Sequence, residues 1–303
     1  MLLRIIHDTT YEYGRPVVTA QHMAHLSPVD RPGQQVRFHE LTVEPTPAQR
    51  QDRADAFGNP CSYFALPGAH EKLTVLATSE VFTEPPAPLP PGMPWEQVVD
   101  GFRYRAAAPY DPAAEFVFAS PRVPHDSRLA DFAHPVFEPG RPLLEAAEAL
   151  MHLIYAEFTY SSGSTNVNTP TLEALAQRKG VCQDFAHIMI GSLRSLGLPA
   201  RYVSGYMMTR PPPGKPRLIG ADASHAWVQV YDPQLGWADF DPTNDLCGLG
   251  RPAETHVTLA IGRDFSDVSP LRGVIQGGGK PDLEVAVTVA PPEELLQSEA
   301  LKR

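Results

Sequence analysis

The sequence predicts an α+β protein: a β-sandwich-like N-terminal domain, then helices packed against an antiparallel sheet. Three observations predict it. Strand-like runs and turn residues alternate through residues 1–85. Six prolines crowd residues 84–94 and break regular structure there. Helical spacing of apolar residues starts at Leu143 and gives way after Gly197 to short β-branched and aromatic runs.

In the first part, residues 3–13, 36–43 and 73–82 are β-branched and aromatic or partly alternating. The turn signals Asp30-Arg31-Pro32-Gly33 and Phe57-Gly58-Asn59-Pro60 separate them. Residues 86–142 read as an ordered, irregular crossing segment, because Trp95, Phe102, Tyr104, Tyr110, Phe116 and Phe118 supply packing material. The third unit spans residues 143–290. Helices are expected over 143–158, with Leu143, Leu144, Ala147, Leu150, Met151 and Ile154 on one stripe, over 171–177, capped by Thr169 or Thr171, and over 182–196, stopped by Gly197. Strands are expected over 200–206, 225–231, 237–240, 257–261 and 283–289, and residues 291–303 form a helix or a loose tail.

Composition narrows the function. The chain has 303 residues, 43% of them hydrophobic, and a formal net charge of −10. With no dense basic cluster, nucleic acid is a poor partner. The N-terminus becomes polar too soon for a signal peptide and no apolar run reaches membrane-spanning length, so a cytoplasmic protein without membrane partners is expected. The three cysteines, Cys61, Cys182 and Cys247, share no CxxC spacing. They predict neither a disulfide framework nor a metal site, and Cys61 and Cys247 read as structural.

Cys182 stands apart. Gly180 permits a tight turn into the helix that the cysteine opens, and a sulfur there faces unpaired N–H groups and the positive end of the helix dipole. Both favour the anion, which is the nucleophile. Taken alone, the segment reads as readily as a buried core cysteine. The second signal is Ser224-His225-Ala226-Trp227-Val228-Gln229-Val230-Tyr231, a turn at Asp232-Pro233-Gln234-Leu235-Gly236, and Trp237-Ala238-Asp239-Phe240-Asp241. His225, Trp227, Gln229 and Tyr231 share one strand face. If Tyr231 opposes Trp237, Asp239 and Asp241 fall on that face and Asp241 is a diagonal neighbour of His225. Thiol, imidazole and carboxylate are the kit for covalent acyl transfer.

Four blocks in this order resemble the transglutaminase-like core: Gly180-Val181-Cys182; residues 193–206; His225-Ala226-Trp227; and Gly236-Trp237 with Asp241-Pro242-Thr243. The N-terminal residues and the stretch from Gly262 to Gly273 resemble the bacterial members of that superfamily. The resemblance implies a papain-like, transglutaminase-like fold and a catalytic Cys182, His225 and Asp241. Cys182 would attack a carboxamide or peptide carbonyl, His225 would pair with the sulfur and protonate the leaving amine, and Asp241 would orient the imidazole. An amine acceptor on the resulting thioester gives transglutamination; water gives a cysteine peptidase or amidase on the same core. A non-catalytic interaction protein that kept the fold is a third reading. The partner implied is a peptide or protein substrate, with an amine as acceptor.

Tyr160 lies where animal transglutaminases place an oxyanion-stabilising Trp, so it is an oxyanion candidate, as is Gln183; the backbone N–H of Cys182 is another. Trp227 reads as a packing wall beside His225. Asp184 and His187 flank Cys182 but cannot converge on one metal ion, and they read as supporting residues. Asp239 is the alternative orienter. Arg263, Asp264 and Asp267 read as a salt-bridged loop. Without the extra β-domains and without an EF-hand-type loop, neither cofactor nor metal is expected.

Overall fold

The computed structural model describes residues 1–106, 109–165, 168–209, 220 and 224–295. Two antiparallel sheets organise it. The first contains β1 (Leu2–Ala24), β2 (Gln34–Glu44), β3 (Gln49–Ala54), β4 (Pro60–Leu66) and β5 (His70–Thr83). The second has five strands and lies within residues 200–262.

The N-terminal sheet is four long strands, three of them interrupted at one level. β4 and β5 pair in succession along one side of β1, and β2 and β3 pair in succession outside them. At this level β1 runs on through Gly14 to Pro16 with a shift in its pairing to β5, while Pro45 to Pro47 separate β2 from β3 and Pro67 and Gly68 separate β4 from β5. The sheet therefore turns a corner, and its two limbs enclose one apolar cluster. Leu41, Val43, Leu73, Val75 and Ala77 come from one limb; Ala20, Ala24, Phe64 and Leu66 come from the other. A bent sheet thus supplies the sandwich-like packing.

The fourth strand corrects the expected placement of the C-terminal strands. β13 (Leu271–Gly277) and β14 (Pro281–Ala290) do not join the core sheet. They pair with the free side of β1, His7 opposite Val287 and His22 opposite Gly273. The N-terminal unit is therefore closed by the end of the chain. Residues 292–295 form one helical turn; the rest of the expected tail lies outside the described residues.

Residues 86–142 are less irregular than expected. α1 (Trp95–Phe102) and α2 (Ser127–Ala133) are helices too short to show a period. Asp126 caps α2 by accepting the N–H of Arg128 at 2.9 Å. The proline run is pinned rather than loose: Leu249 N–H donates to Ala87 at 3.0 Å and Met93 N–H donates to Asp232 Oδ2 at 2.8 Å.

α3 (Leu143–Glu157), α4 (Thr171–Gln177) and α5 (Cys182–Ser195) follow close to the expected bounds. Neither threonine caps α4; its N-cap is Pro170, and Thr171 Oγ1 donates to the Arg122 carbonyl. β6 (Thr159–Tyr160) and β7 (Lys179–Gly180) form a short parallel pair that leads into α5. α5 is almost wholly buried, and Gly191 lets Leu129 of α2 approach where a Cβ would come within 2.9 Å of it. The helix packs on β8 (Ala200–Met207) and β9 (Ser224–Asp232), flanked by β10 (Gly236–Asp241), β11 (Leu246–Leu249) and β12 (His256–Gly262); α6 (Phe265–Val268) follows β12.

β12 is the core sheet's edge, and the N-terminal unit covers it with side-chain amides. Gln34 donates to the Thr258 carbonyl at 2.9 Å and accepts the Thr258 N–H at 2.8 Å. Asn59 does the same for Ile261 at 2.7 and 2.8 Å. Each amide satisfies an edge residue as a neighbouring strand would. Gln34→Ala leaves the buried Thr258 N–H unpaired, while its carbonyl keeps the Val29 N–H at 3.2 Å, and is expected to cost about 1–3 kcal/mol in urea unfolding. Asn59→Ala, at a half-exposed Ile261, is expected to cost less.

Candidate active site

Local chemistry fixes the start of α5. The Asp184 carboxylate accepts the Val181 N–H at 2.9 Å and the Thr165 hydroxyl at 2.6 Å, so it closes the first turn. A Cβ on Gly180 would lie 2.6–2.9 Å from atoms of Asp184, which is why the preceding residue is glycine. Asp184 is thereby a cap beside the cysteine. Cys182 opens the helix and remains partly exposed. His187, one turn further on, accepts the Phe265 N–H at 3.2 Å and holds the start of α6. Its burial pushes its pKa down to about 3.

The β9–β10 register is the one that puts Asp241 near His225. Tyr231 opposes Trp237 and Gln229 opposes Asp239. His225 Nε2 donates to Asp241 Oδ2 at 2.7 Å, and Cys182 sits close enough to the same imidazole to act on its protonation. With Nε2 committed to the carboxylate, Nδ1 is the nitrogen left for the sulfur. Asp239 is not the orienter: its Oδ1 accepts Trp227 Nε1–H and Gln229 Nε2–H, each at 2.8 Å. Trp227 is wholly buried with its ring 6.1 Å from that of His225, close to parallel. Gly205 on β8 makes room for the indole, since a Cβ there would lie 2.5 Å from Trp227 Cη2.

Asp241 meets three further donors. Oδ2 also accepts from Asn244 Nδ2 at 2.7 Å and from His256 Nε2 at 3.0 Å, and Oδ1 accepts the Thr243 N–H at 2.9 Å. Burial opposes its ionisation, but His225 and these donors hold it well below the usual carboxylate range. Burial likewise opposes a charged His225, yet Asp241 and then Cys182 push it up to about 10.

The signs set a pH window. The raised His225 contributes stability that is complete below the ordinary histidine value of about 6.5 and fades as pH climbs through about 10. The depressed Asp241 contributes stability that is complete above about 4 and fades on further acidification. Calorimetry of wild type against His225→Asn should therefore show the widest gap in melting temperature near about pH 5–6, shrinking towards about pH 10. A gap that does not change with pH would contradict the assignment.

His256 and Asn244 were not singled out from sequence. Asn244 had a visible signal, the polar turn after Asp241-Pro242. His256 had none, because it reaches Asp241 from β12, across β8. His225, Asp241 and His256 are also the one group among the described residues whose donor atoms come close enough to share a metal ion. Their 2.7 and 3.0 Å contacts are accounted for as hydrogen bonds.

Tyr160 of β6 stands on the Phe185 ring at 6.4 Å with its phenol more than half exposed. Burial first, and then Cys182, raises its pKa. Gln183 is buried on α5. Arg263 pairs with Asp267 through Nε at 2.9 Å and Nη2 at 3.0 Å, and Asp264 caps α6 by accepting the Ser266 N–H at 2.7 Å. No helix among the described residues is long and apolar enough to cross a membrane.

Comparison with known proteins gives family matches in both units of the chain. Residues 3–82 match the model of the bacterial transglutaminase-like N-terminal region, and residues 130–242 match that of the transglutaminase-like superfamily. An uncharacterized protein of Mycobacterium tuberculosis is 39% identical, covering 96% of this chain and 93% of its own. A protein-glutamine gamma-glutamyltransferase of Pseudomonas aeruginosa is 40% identical over 99 residues, 31% of this chain and 15% of that one. The crystal structure of a candidate cysteine protease from Cytophaga hutchinsonii shares the fold with a TM-score of 0.71 at 22% identity, covering 96% of this chain and 90% of that one.

Proposed function

Because this chain belongs to the transglutaminase-like superfamily, in the group that carries the bacterial N-terminal region, we propose that it transfers acyl groups from a carboxamide or peptide bond through a thioester on Cys182. The observation that carries the reading is the juxtaposition of Cys182 with the His225–Asp241 pair, whose hydrogen bond is 2.7 Å long. His225 carries the proton of the Cys182 thiol as an imidazolium, and the sulfur attacks the carbonyl carbon. The oxyanion is met by the Cys182 backbone N–H, one of the unpaired donors at the start of α5, with the Tyr160 hydroxyl as second donor. His225 returns the proton to the leaving nitrogen as the C–N bond breaks. An incoming amine or water, deprotonated by the same imidazole, then cleaves the thioester and restores the thiol. Asp241 keeps the imidazole on the tautomer that presents Nδ1 to the sulfur.

One observation favours hydrolysis as a second reading. Cys182 is partly exposed and Tyr160 is more than half exposed, so water reaches the thioester. A glutamine-containing peptide assayed with and without a primary amine separates the two. Ammonia release with incorporation of the amine supports transfer. Release without incorporation supports hydrolysis, and no release from any peptide tested, with or without amine, would count against both.

A further inference from the structure

Resting on that reading, we propose that His256 is a positioning residue of the same site: it donates its Nε2–H to Asp241 and fixes the carboxylate that faces His225. The side chain is buried and comes from β12, the strand whose edge the N-terminal unit covers. Its Nε2 lies 3.0 Å from Asp241 Oδ2, the oxygen that also accepts from His225.

Three contacts define its orientation. The Trp227 indole meets the His256 ring edge to face, at 5.3 Å and 88°. The His225 ring is 5.6 Å away, so one carboxylate oxygen serves two imidazoles. Nδ1 lies 3.3 Å from Thr255 Oγ1, a hydroxyl that can donate to it and leave the proton on Nε2. The charged or titratable groups that act on His256 are Asp241, His225 and Asp239. Burial is the largest influence and keeps the imidazole neutral, which suits a donor that adds no second charge beside the His225 imidazolium.

The consequence is geometric. Four donors meet the carboxylate: His225, His256 and Asn244 on Oδ2, and the Thr243 N–H on Oδ1. A carboxylate held on all sides cannot rotate away when His225 changes protonation state during turnover. Without His256, the buried anion loses one of its three donors on Oδ2.

His256→Leu and His256→Gln test this, because a glutamine amide can place an N–H near the position of Nε2. Near-UV circular dichroism selects variants that keep the wild-type core. For His256→Leu, kcat is expected to fall about 10–100-fold at unchanged KM, the loss of one hydrogen bond to a charged group. His256→Gln should retain most of the wild-type kcat. Carboxyl NMR should find Asp241 protonating at higher pH in His256→Leu than in wild type or His256→Gln. Equal kcat losses in the two variants, or Asp241 titrating alike in all three proteins, would overturn the proposal. The NMR arm needs no turnover, so an inactive wild type would defeat the acyl-transfer reading without deciding the role of His256.

Discussion

Cys182→Ala is expected to abolish ammonia release from a glutamine peptide, by about four to six orders of magnitude in kcat, with the melting temperature little changed. The asymmetry follows from where the residue sits. Cys182 is the first residue of α5 and is partly exposed, so the substitution removes a sulfur without opening the core. The capping of the helix does not depend on it, because Asp184 holds the first turn through Val181 and Thr165. Asp184→Ala should give the complementary result, lower stability of the turn and a misplaced nucleophile. Steady-state kinetics and calorimetry on the two variants read both effects. A Cys182→Ala protein that still releases ammonia would place the chemistry elsewhere.

Asp241→Asn should have the second largest effect, and it should damage stability as well as rate. An asparagine presents N–H groups where the carboxylate accepts from His225, His256 and Asn244, so at least one buried donor faces another. The cost of breaking such a buried pair is about 3–5 kcal/mol. The wrong imidazole tautomer is expected to lower kcat by about 10^4-fold. Asp239→Asn is the informative contrast. Asp239 bonds Trp227 and Gln229 and makes no contact with His225, so stability should suffer while kcat is largely preserved. Equal kcat losses in the two variants would mean that the choice of Asp241 as orienter is wrong.

What the sequence reveals of this site is what local periodicity encodes. Gly180 before Cys182 announces the turn into α5, and the structure shows why no other residue fits. The register of β9 and β10 follows from a short turn and strand alternation, so the sequence itself sets Asp241 beside His225. Contacts between distant segments left no such trace. β13 and β14 run against β1, more than two hundred residues earlier in the chain, and nothing in the apolar run at residues 283–289 says which sheet it will join. β3 escaped notice because each of its residues is exposed, leaving no alternation to read. His256 was invisible for a related reason. A histidine at the head of an edge strand looks like any other until the sheet order β9-β8-β12 brings it, beside the Trp227 indole, to Asp241.

The covering of β12 links the two units to the chemistry. Gln34 and Asn59 hold the strand that carries His256, and His7 of β1 reaches Tyr206 of β8 at 2.7 Å. The N-terminal unit is thus part of the scaffold on which the carboxylate is held, and Gln34→Ala should lower kcat modestly as well as stability.

The central claim is that Cys182 forms a thioester with help from His225 and Asp241. Intact-mass analysis after acid quench of a reaction with a glutamine-containing peptide tests it most directly. Wild type should gain the mass of the peptide less ammonia, on the tryptic fragment containing Cys182, and added primary amine or time should discharge it. His225→Asn should fail to acquire the mass. An adduct on another residue, or one that forms equally well in Cys182→Ala, would contradict the account.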